Sequence, residues 1–431
     1  MNRDFKNWTV AILVWTGIAW FSAAHAQTYS SEEIIISGIG FSRFTVQLEP
    51  DAAFAAHPEA SRWLRIFDRN LCWSGVFRIQ DSRYNACKAQ GRAPDMKLLA
   101  QLVKTTGGSL VRLAVAGNDG SVLLSQDMKL QNGEFEETGV MGLVNRVAGE
   151  LTGVPASLGS TVAFSLRQPG RRKIIARINT HGRRLSGVSR NPFISLFPRW
   201  SPDGKSLIYT TVSRQGTAIM LDRLKGQPMQ VLLSRKGQFG ITSGGTWFDD
   251  NERIILTLSR NGNADLYEFN LRTRAEPKRL TKHRRIDTSP HLAPDNQRIV
   301  FVSDRTGREQ LFYQELDTGI AFQLTFDGSS NSNPVWSPDG TLIAYSKMIG
   351  GRQQIFIMDP FTEESRRLTR GNYNCEQPTW SPDGRLLTFS ANPTGTYKLY
   401  VIFMDGSGMR RLTRIPREFE ETGPNWSTRN F

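Results

Sequence analysis

Six short strings between residues 197 and 430 repeat one pattern, and this repeat constrains the fold more than any other feature. Their anchor residues lie 44 to 47 positions apart, a period that is typical of a four-stranded β-propeller blade when turn residues recur at fixed offsets. The sequence therefore predicts a mainly β fold, a six-bladed β-propeller. The strings are FPRWSPDG, GGTWFDDN, SPHLAPDN, NPVWSPDG, QPTWSPDG and GPNWSTRN, with anchors Trp200, Trp247, Leu292, Trp336, Trp380 and Trp426.

Each repeat is predicted to form four strands separated by three turns. Pro presets φ in the first turn and Gly takes its left-handed position, as in Pro338-Asp339-Gly340. Where that glycine is missing, Asn251 and Asn296 stand instead, and Asn tolerates the same backbone. The 38 Gly and 20 Pro of the chain agree with many short strands joined by turns.

The last repeat reaches only its innermost strand before the chain ends at Phe431. The missing three strands are predicted in residues 161–187, so Asn425-Trp426-Ser427 should complete that blade and close the ring. Deleting the last eight residues should open it. A Leu-Thr pair recurs in the outermost strands, and Arg279, Arg367 and Arg411 precede it; cations there protect an exposed sheet edge from aggregation.

A small α/β domain is predicted in residues 27–152, followed by a linker over 153–160 and the propeller over 161–431. The patterns predict strands at 34–36, 44–48 and 76–80, helices at 59–74, 95–104 and 138–151, and a hairpin of 110–115 with 122–128.

The first 26 residues have the pattern of a secretory signal. Two cations precede an apolar run, and Ala24-His25-Ala26 supplies the small residues of a cleavage site between Ala26 and Gln27. The alternative is an uncleaved anchor over residues 8–26. Gln27 stands where a lipoprotein needs Cys, which argues against lipid anchoring. The chain is therefore predicted to be exported.

Three cysteines permit one disulfide, for which Cys72 and Cys87 are the candidates. No zinc spacing is present and no metal or other cofactor is predicted. The net charge of +14 points, in an exported protein, to anionic lipid or cell-wall polymers rather than to nucleic acid.

Catalytic motifs are missing from the sequence: it contains no GxSxG, HExxH, Walker A or GxGxxG pattern. The histidines show no paired ligand spacing, and adjacent carboxylates such as Glu420-Glu421 face opposite sides of a strand. Peptidases with such blades need a further hydrolase domain. A propeller lyase needs several His, Asp or Glu around the channel, whereas the inner strands of the repeats carry none beyond His291. A non-enzymatic binding protein is predicted; a propeller hydrolase or lyase is the alternative.

The signal, the α/β domain and the terminally closed W-S-P-D-G propeller together resemble the TolB family of the Tol-Pal envelope system. The string from Asn145 to Gly153, which ends in Leu-Thr-Gly at the domain junction, adds to the resemblance. It implies a periplasmic protein, monomeric on its own, that serves outer-membrane integrity and cell division by linking two partners, the lipoprotein Pal and the inner-membrane TolA.

The resemblance also implies binding residues. Pal is expected on the loops that lead into the innermost strands, at Ile241, Gly244 and Thr288. TolA is expected on the extended segment Glu33, Ile34, Ile35, Ile36, Ser37 and Gly38, which either joins a partner's sheet edge or docks on its own domain, so that Pal binding could shift its position. An ordinary first strand of the domain is the alternative. The following strand, Ser42 to Pro50, departs from the family pattern and suggests a divergent amino-terminal interface.

Overall fold

The computed structural model describes residues 43–89, 91, 93–130, 135–214, 216–224, 229–234 and 240–430. Side chains at 234–243 and 428–430 are outside this description. The signal sequence, its cleavage site at Ala26 and Gln27, and the segment Glu33–Gly38 lie outside the described residues. The described residues all belong to one compact unit. None of the helices in this described part is long and apolar enough to cross a bilayer.

The amino-terminal part of the described chain is a five-stranded mixed sheet covered by helices. The strands lie in the order β2-β1-β3-β4-β5, with β1 parallel to both neighbours and the hairpin of β4 and β5 at one edge. Two long amphipathic helices pack on it through buried side chains such as Phe67 and Val144. The elements are β1 Phe44–Pro50, α1 Ala52–Ala55, α2 Ala60–Trp73, β2 Phe77–Ile79, β3 Met96–Thr105, β4 Gly108–Ala116, β5 Val122–Lys129 and α3 Glu137–Thr152.

The helix predicted over 95–104 is wrong, because this stretch is strand β3. Its backbone pairs with β1 on one side and β4 on the other, so tertiary pairing outweighs a local sequence that is compatible with a helix. Asp95, predicted to cap a helix, instead accepts a hydrogen bond from the Thr45 backbone NH at 2.7 Å. Cys72 at the end of α2 and Cys87, in a 3₁₀ turn over Asn85–Cys87, form a disulfide, and Cys375 is buried and unpaired.

The described remainder forms six four-stranded antiparallel sheets, which confirms the six-bladed propeller. Blade 1 is β29 Glu420–Asn430, β6 Ser160–Arg167, β7 Lys173–Asn179 and β8 Ser186–Gly187; blade 2 is β9 Ile194–Trp200, β10 Leu207–Ser213, β11 Gly216–Asp222 and β12 Gln230–Ser234; blade 3 is β13 Gly240–Trp247, β14 Arg253–Arg260, β15 Asn263–Asn270 and β16 Lys278–Arg279. Blade 4 is β17 Asp287–Leu292, β18 Arg298–Ser303, β19 Gln310–Glu315 and β20 Ala321–Gln323; blade 5 is β21 Asn331–Trp336, β22 Ile343–Ile349, β23 Arg352–Met358 and β24 Ser365–Arg367; blade 6 is β25 Cys375–Trp380, β26 Leu386–Ala391, β27 Lys398–Phe403 and β28 Arg410–Arg411.

Ring closure by the carboxyl-terminal strand is also confirmed. Asn425 and Trp426 pair with Ala163 and Val162 of β6, so blade 1 takes strands from both ends of the propeller. Trp426 is 5% exposed, and its indole NH donates to the Ser160 hydroxyl. The closing strand is therefore held by side-chain packing as well as by its ladder of backbone hydrogen bonds.

The recurring sequence elements have local structural reasons. Asn251 and Asn296 adopt left-handed φ values of 57° and 59°, as predicted. In the Leu-Thr pairs, the hydroxyl of Thr281 accepts a hydrogen bond from Leu266 NH and that of Thr369 from Ile355 NH, at 3.0 and 2.9 Å. The preceding arginines turn back onto the backbone; Arg367, for example, donates to the Thr369 carbonyl at 2.6 Å.

Candidate functional site

The central channel and its two mouths are the candidate functional site. The innermost strands all begin at one end of the ring, which we name the upper mouth, together with the loops that lead into them. They end at the W-S-P-D-G turns, which form the lower mouth. Because each blade is an antiparallel meander, the turn between its second and third strands also lies at the upper mouth.

The α/β domain packs on the lower side of the ring, at blades 1 and 6. Ser157 NH donates to the Asp383 carboxylate at 2.9 Å, and Arg385 donates to the Thr152 hydroxyl at 2.6 Å. Trp73 stacks on Phe403 with ring centroids 5.1 Å apart. None of the described α/β-domain contacts reaches the loops of the upper mouth, so the described domain leaves that mouth open.

One buried histidine lies within this domain contact. His181, in the turn after β7, is within 3.0 Å of the Asn70 side-chain oxygen of α2. Burial lowers the His181 pKa to about 3, and the nearby cations Arg69, Arg410 and Arg183 add to the effect. The imidazole is therefore neutral at physiological pH.

The predicted Pal-binding residues lie on the innermost strands of two neighbouring blades. Ile241 and Gly244 are on β13, and Thr288 is on β17 and half-buried. Ile241 pairs with Leu258 and Thr288 with Val302, which places both near the upper ends of their strands. The side chain of Ile241 lies outside the described atoms.

Gly244 lies deeper than the other two, at a close approach between blades. A Cβ atom at this position would stand 3.0 Å from the Phe197 carbonyl oxygen and 3.1 Å from Phe197 Cβ. Phe197 itself has a left-handed φ of 54°, at a bulge in β9 before Pro198. Gly244 therefore has a packing role between blades 2 and 3.

The described loops at the upper mouth are rich in exposed cations. Among their described residues, the connections into the innermost strands carry seven exposed cations and two exposed carboxylates, Asp327 and Glu418. Ile286, in the same loops, is 46% exposed. This surface is complementary to an acidic partner with some apolar content. The seven cations are Arg190, Lys282, Arg284, Arg285, Arg370, Arg414 and Arg417.

Carboxylates occur at the upper ends of the innermost strands, where the repeat strings did not reveal them. Asp287, fully buried, receives two hydrogen bonds from Arg305 at 2.9 and 3.0 Å. Glu421, also fully buried, pairs with Lys398 at 3.0 Å. Each is neutralised by its own cation. Within the described residues no group of three or more His, Cys, Asp or Glu is arranged to hold a metal ion.

A second feature, missed by sequence reasoning, is a ring of side chains just above the lower mouth. The residue before each anchor contributes, and four of the six accept a hydrogen bond from the anchor NH of the next blade. Asn425 accepts from Trp200 NH at 2.7 Å, and His291 Nδ1 from Trp336 NH at 3.2 Å. Thr246 and Thr379 do the same for Leu292 and Trp426. The channel ring consists of Arg199, Thr246, His291, Val335, Thr379 and Asn425.

Two members of the channel ring cannot accept such a bond: Val335, which is apolar, and Arg199, whose guanidinium has donors only. Both line a cavity of about 370 Å³ at the lower mouth, together with the tryptophan anchors. The signal that would have revealed the ring is the position before each anchor, read down the six repeats.

The match to known proteins agrees with this architecture. The family model described as the TolB beta propeller domain matches residues 149–430. A protein named TolB homolog from Chlorobium luteolum is 36% identical over 39% of this chain and 37% of its own length. The Tol-Pal system protein TolB of Helicobacter hepaticus is 30% identical over 32% of each chain. The matched segments therefore span about a third of these relatives.

The structural comparison covers more of the chain. The crystal structure of TolB from Acinetobacter baumannii superposes with a TM-score of 0.73, at 24% identity, over 91% of this chain and 98% of that one. This likeness extends through the amino-terminal α/β domain and supports the fold as a whole.

Proposed function

The chain belongs to the TolB β-propeller family, and from this premise we propose that it is a non-enzymatic, periplasmic component of a Tol-Pal system. In this proposal it links the outer-membrane lipoprotein Pal to inner-membrane TolA and so serves envelope integrity and outer-membrane invagination in cell division. The observation that carries the proposal is the upper mouth, which the described α/β domain leaves open and whose loops present an excess of cations and an exposed Ile286.

Pal would bind across the upper ends of β13 and β17. Ile241 and Thr288 lie at that level of neighbouring strands, beside the cationic loop 282–286. Gly244 would act by letting β13 approach Phe197 rather than by touching the partner. TolA would bind the segment 33–38, as the family resemblance implies.

The chemistry of the channel supports the non-enzymatic proposal over the alternative of a propeller hydrolase or lyase. A propeller hydrolase or lyase needs convergent acid, base or metal-ligand groups. The cavity at the lower mouth is lined by one histidine, one arginine and one aspartate, Asp249, which is exposed. The His291 pKa is lowered to about 3 by burial and by Arg199, so this imidazole is only a weak base near neutral pH.

The test is capture of Pal from solubilised envelopes with two matched double charge reversals. The first variant, Arg284→Glu with Arg285→Glu, changes the upper mouth, and the second, Lys205→Glu with Arg272→Glu, changes the lower side. Each makes the net charge more negative by four units. All four parent side chains are exposed. We expect the first variant to lose Pal, the second to retain it, and parent binding to weaken as salt rises. Equal capture by the two variants would contradict the upper-mouth assignment.

A third variant separates the two partners. Deletion of residues 33–38 should abolish capture of TolA while leaving capture of Pal intact. If the deletion variant still captures both TolA and Pal, the proposed role of this segment is wrong.

A further inference from the structure

Arg199 is the only charged member of the channel ring at neutral pH, and its charge has no counter-charge among the described residues. Burial lowers the Arg199 pKa to about 10, so the guanidinium remains cationic in solution at pH 7. Its one described acceptor is the carbonyl of the preceding residue, Pro198, at 3.0 Å from Nη1. No carboxylate of the described chain lies within ion-pair distance of Arg199, whereas the half-buried Arg305 pairs with Asp287 and the buried Lys398 pairs with Glu421.

The rest of the ring does not compensate this charge. Thr246, Thr379 and Asn425 are neutral, and their oxygens are already used as acceptors for the next blade. His291 is neutral, and because Nδ1 accepts from Trp336 NH, its hydrogen is on Nε2. Asp249 lines the outer rim of the cavity, but it is exposed to solvent and forms no ion pair with Arg199.

Arg199 is half-buried, and a partly desolvated cation without a counter-charge is costly. Such a cation persists where a ligand supplies the missing charge. The guanidinium geometry matches an oxyanion, which can accept two parallel hydrogen bonds. The cavity of about 370 Å³ has room for such a group, and the tryptophan anchors form part of its walls. His291 is a second donor on the same lining.

We propose that the lower-mouth cavity is an oxyanion-binding site in which Arg199 supplies the counter-charge to a carboxylate or phosphate group. This site is separate from the upper mouth and does not depend on the proposed partners. The anion is either a small free ion or the carboxylate of a peptide end, and the chemistry at Arg199 is the same for both.

Calorimetric titration of the purified full chain tests the proposal at pH 7.5 and constant ionic strength. The probes are inorganic phosphate, acetate, and acetyl-trialanine with either a free or an amidated carboxyl group. Binding of phosphate or acetate would identify a small-ion site, and binding of the free peptide acid but not its amide would identify a peptide carboxylate. We expect at least about a tenfold loss of affinity in Arg199→Met, since a charge-assisted hydrogen bond is lost.

Two further variants make the outcome decisive. Arg65→Met removes the same charge from an exposed position on α2 of the α/β domain, away from both proposed sites, and should bind like the parent. Arg199→Lys retains the charge, so it should retain binding even if Arg199→Met folds poorly, with lower affinity because the bidentate contact is lost. No binding of any probe by the parent, or equal affinity in Arg199→Met, would overturn the proposal.

Discussion

The buried pair of Lys398 and Glu421 makes the sharpest prediction about how the ring is held closed. Glu421 is on the closing strand β29, and Lys398 is on β27 of blade 6; their side chains are 0% and 2% exposed, and Nζ lies 3.0 Å from Oε1. Lys398 also donates to the Pro416 carbonyl at 2.7 Å, and Glu421 accepts from Leu399 NH at 3.2 Å. Blade 6 therefore holds the upper end of β29 through charge and hydrogen bonds.

Glu421→Gln keeps the side-chain shape but leaves the Lys398 ammonium buried without a counter-charge. Removing one partner of such a pair costs about 3–5 kcal/mol of folding free energy, mostly because the remaining charge has lost its hydration. Burial already lowers the Lys398 pKa, and Glu421 is the largest influence that raises it again. The double variant Lys398→Met with Glu421→Gln removes the stranded charge, so it should be more stable than Glu421→Gln alone.

Urea unfolding followed by tryptophan fluorescence measures these differences. The control is Asp127→Asn, which breaks the exposed pair of Arg112 and Asp127, whose side chains are 38% and 40% exposed. That change should cost less than about 1 kcal/mol. The proposed role of the Lys398–Glu421 pair in ring closure would be refuted by either of two results. One is a free energy of unfolding of Glu421→Gln within about 1 kcal/mol of the parent, and the other is a double variant less stable than the single one.

Three other changes follow from the structure. Gly245→Ala should destabilise the propeller by at least about 2 kcal/mol in the same urea assay, because its Cβ would lie 2.2 Å from the Ile255 carbonyl oxygen; Gly107→Ala, with open space around the position, should be near neutral. Reduction of the Cys72–Cys87 disulfide, which closes a loop of sequence separation 15, should lower stability by about 3 kcal/mol, and an unchanged melting temperature in reductant would contradict this. The His181 pKa of about 3 in the folded protein lies below its unfolded value of 6.5. The stability that neutral His181 contributes is therefore fully present above pH 6.5 and is lost as the pH falls towards 3. Between pH 6.5 and 5 the free energy of unfolding of the parent should fall by about 1.5 kcal/mol more than that of His181→Gln. Equal decreases in the two proteins would show that His181 does not contribute to the pH dependence of stability.

The propeller could be predicted because its determinants are local and repeated. The Pro-Asp-Gly turn fixes backbone geometry within four residues, and Asn251 and Asn296 preserve the same left-handed φ where glycine is missing. Ring closure could be predicted by counting the strands of each repeat. The innermost strand at 425–427 is followed by no second, third and fourth strands, and residues 161–187 supply these three strands without an innermost one.

The features that sequence reasoning missed depend on neighbours distant along the chain. Strand β3 is set by its pairing with β1 and β4, which no local pattern at 95–104 records. The glycine at 244 is required by a backbone bulge at Phe197, in the neighbouring blade. Arg199 resembles any other cation of a basic chain until the ring shows that its five counterparts are neutral.

Strand β29 contacts residues at both mouths of the ring and near the domain junction. Its upper end carries Glu421, which is clamped by Lys398 beside the cationic loop 414–419 of the upper mouth. Further along, Asn425 belongs to the channel ring next to Arg199, since it accepts from Trp200 NH. Trp426 then donates to Ser160, whose hydroxyl also donates to the carbonyl of Ser157, the residue that holds the α/β domain on Asp383. Because one strand of 11 residues makes all these contacts, a shift of β29 along its length would alter the upper mouth, the lower-mouth cavity and the domain junction together.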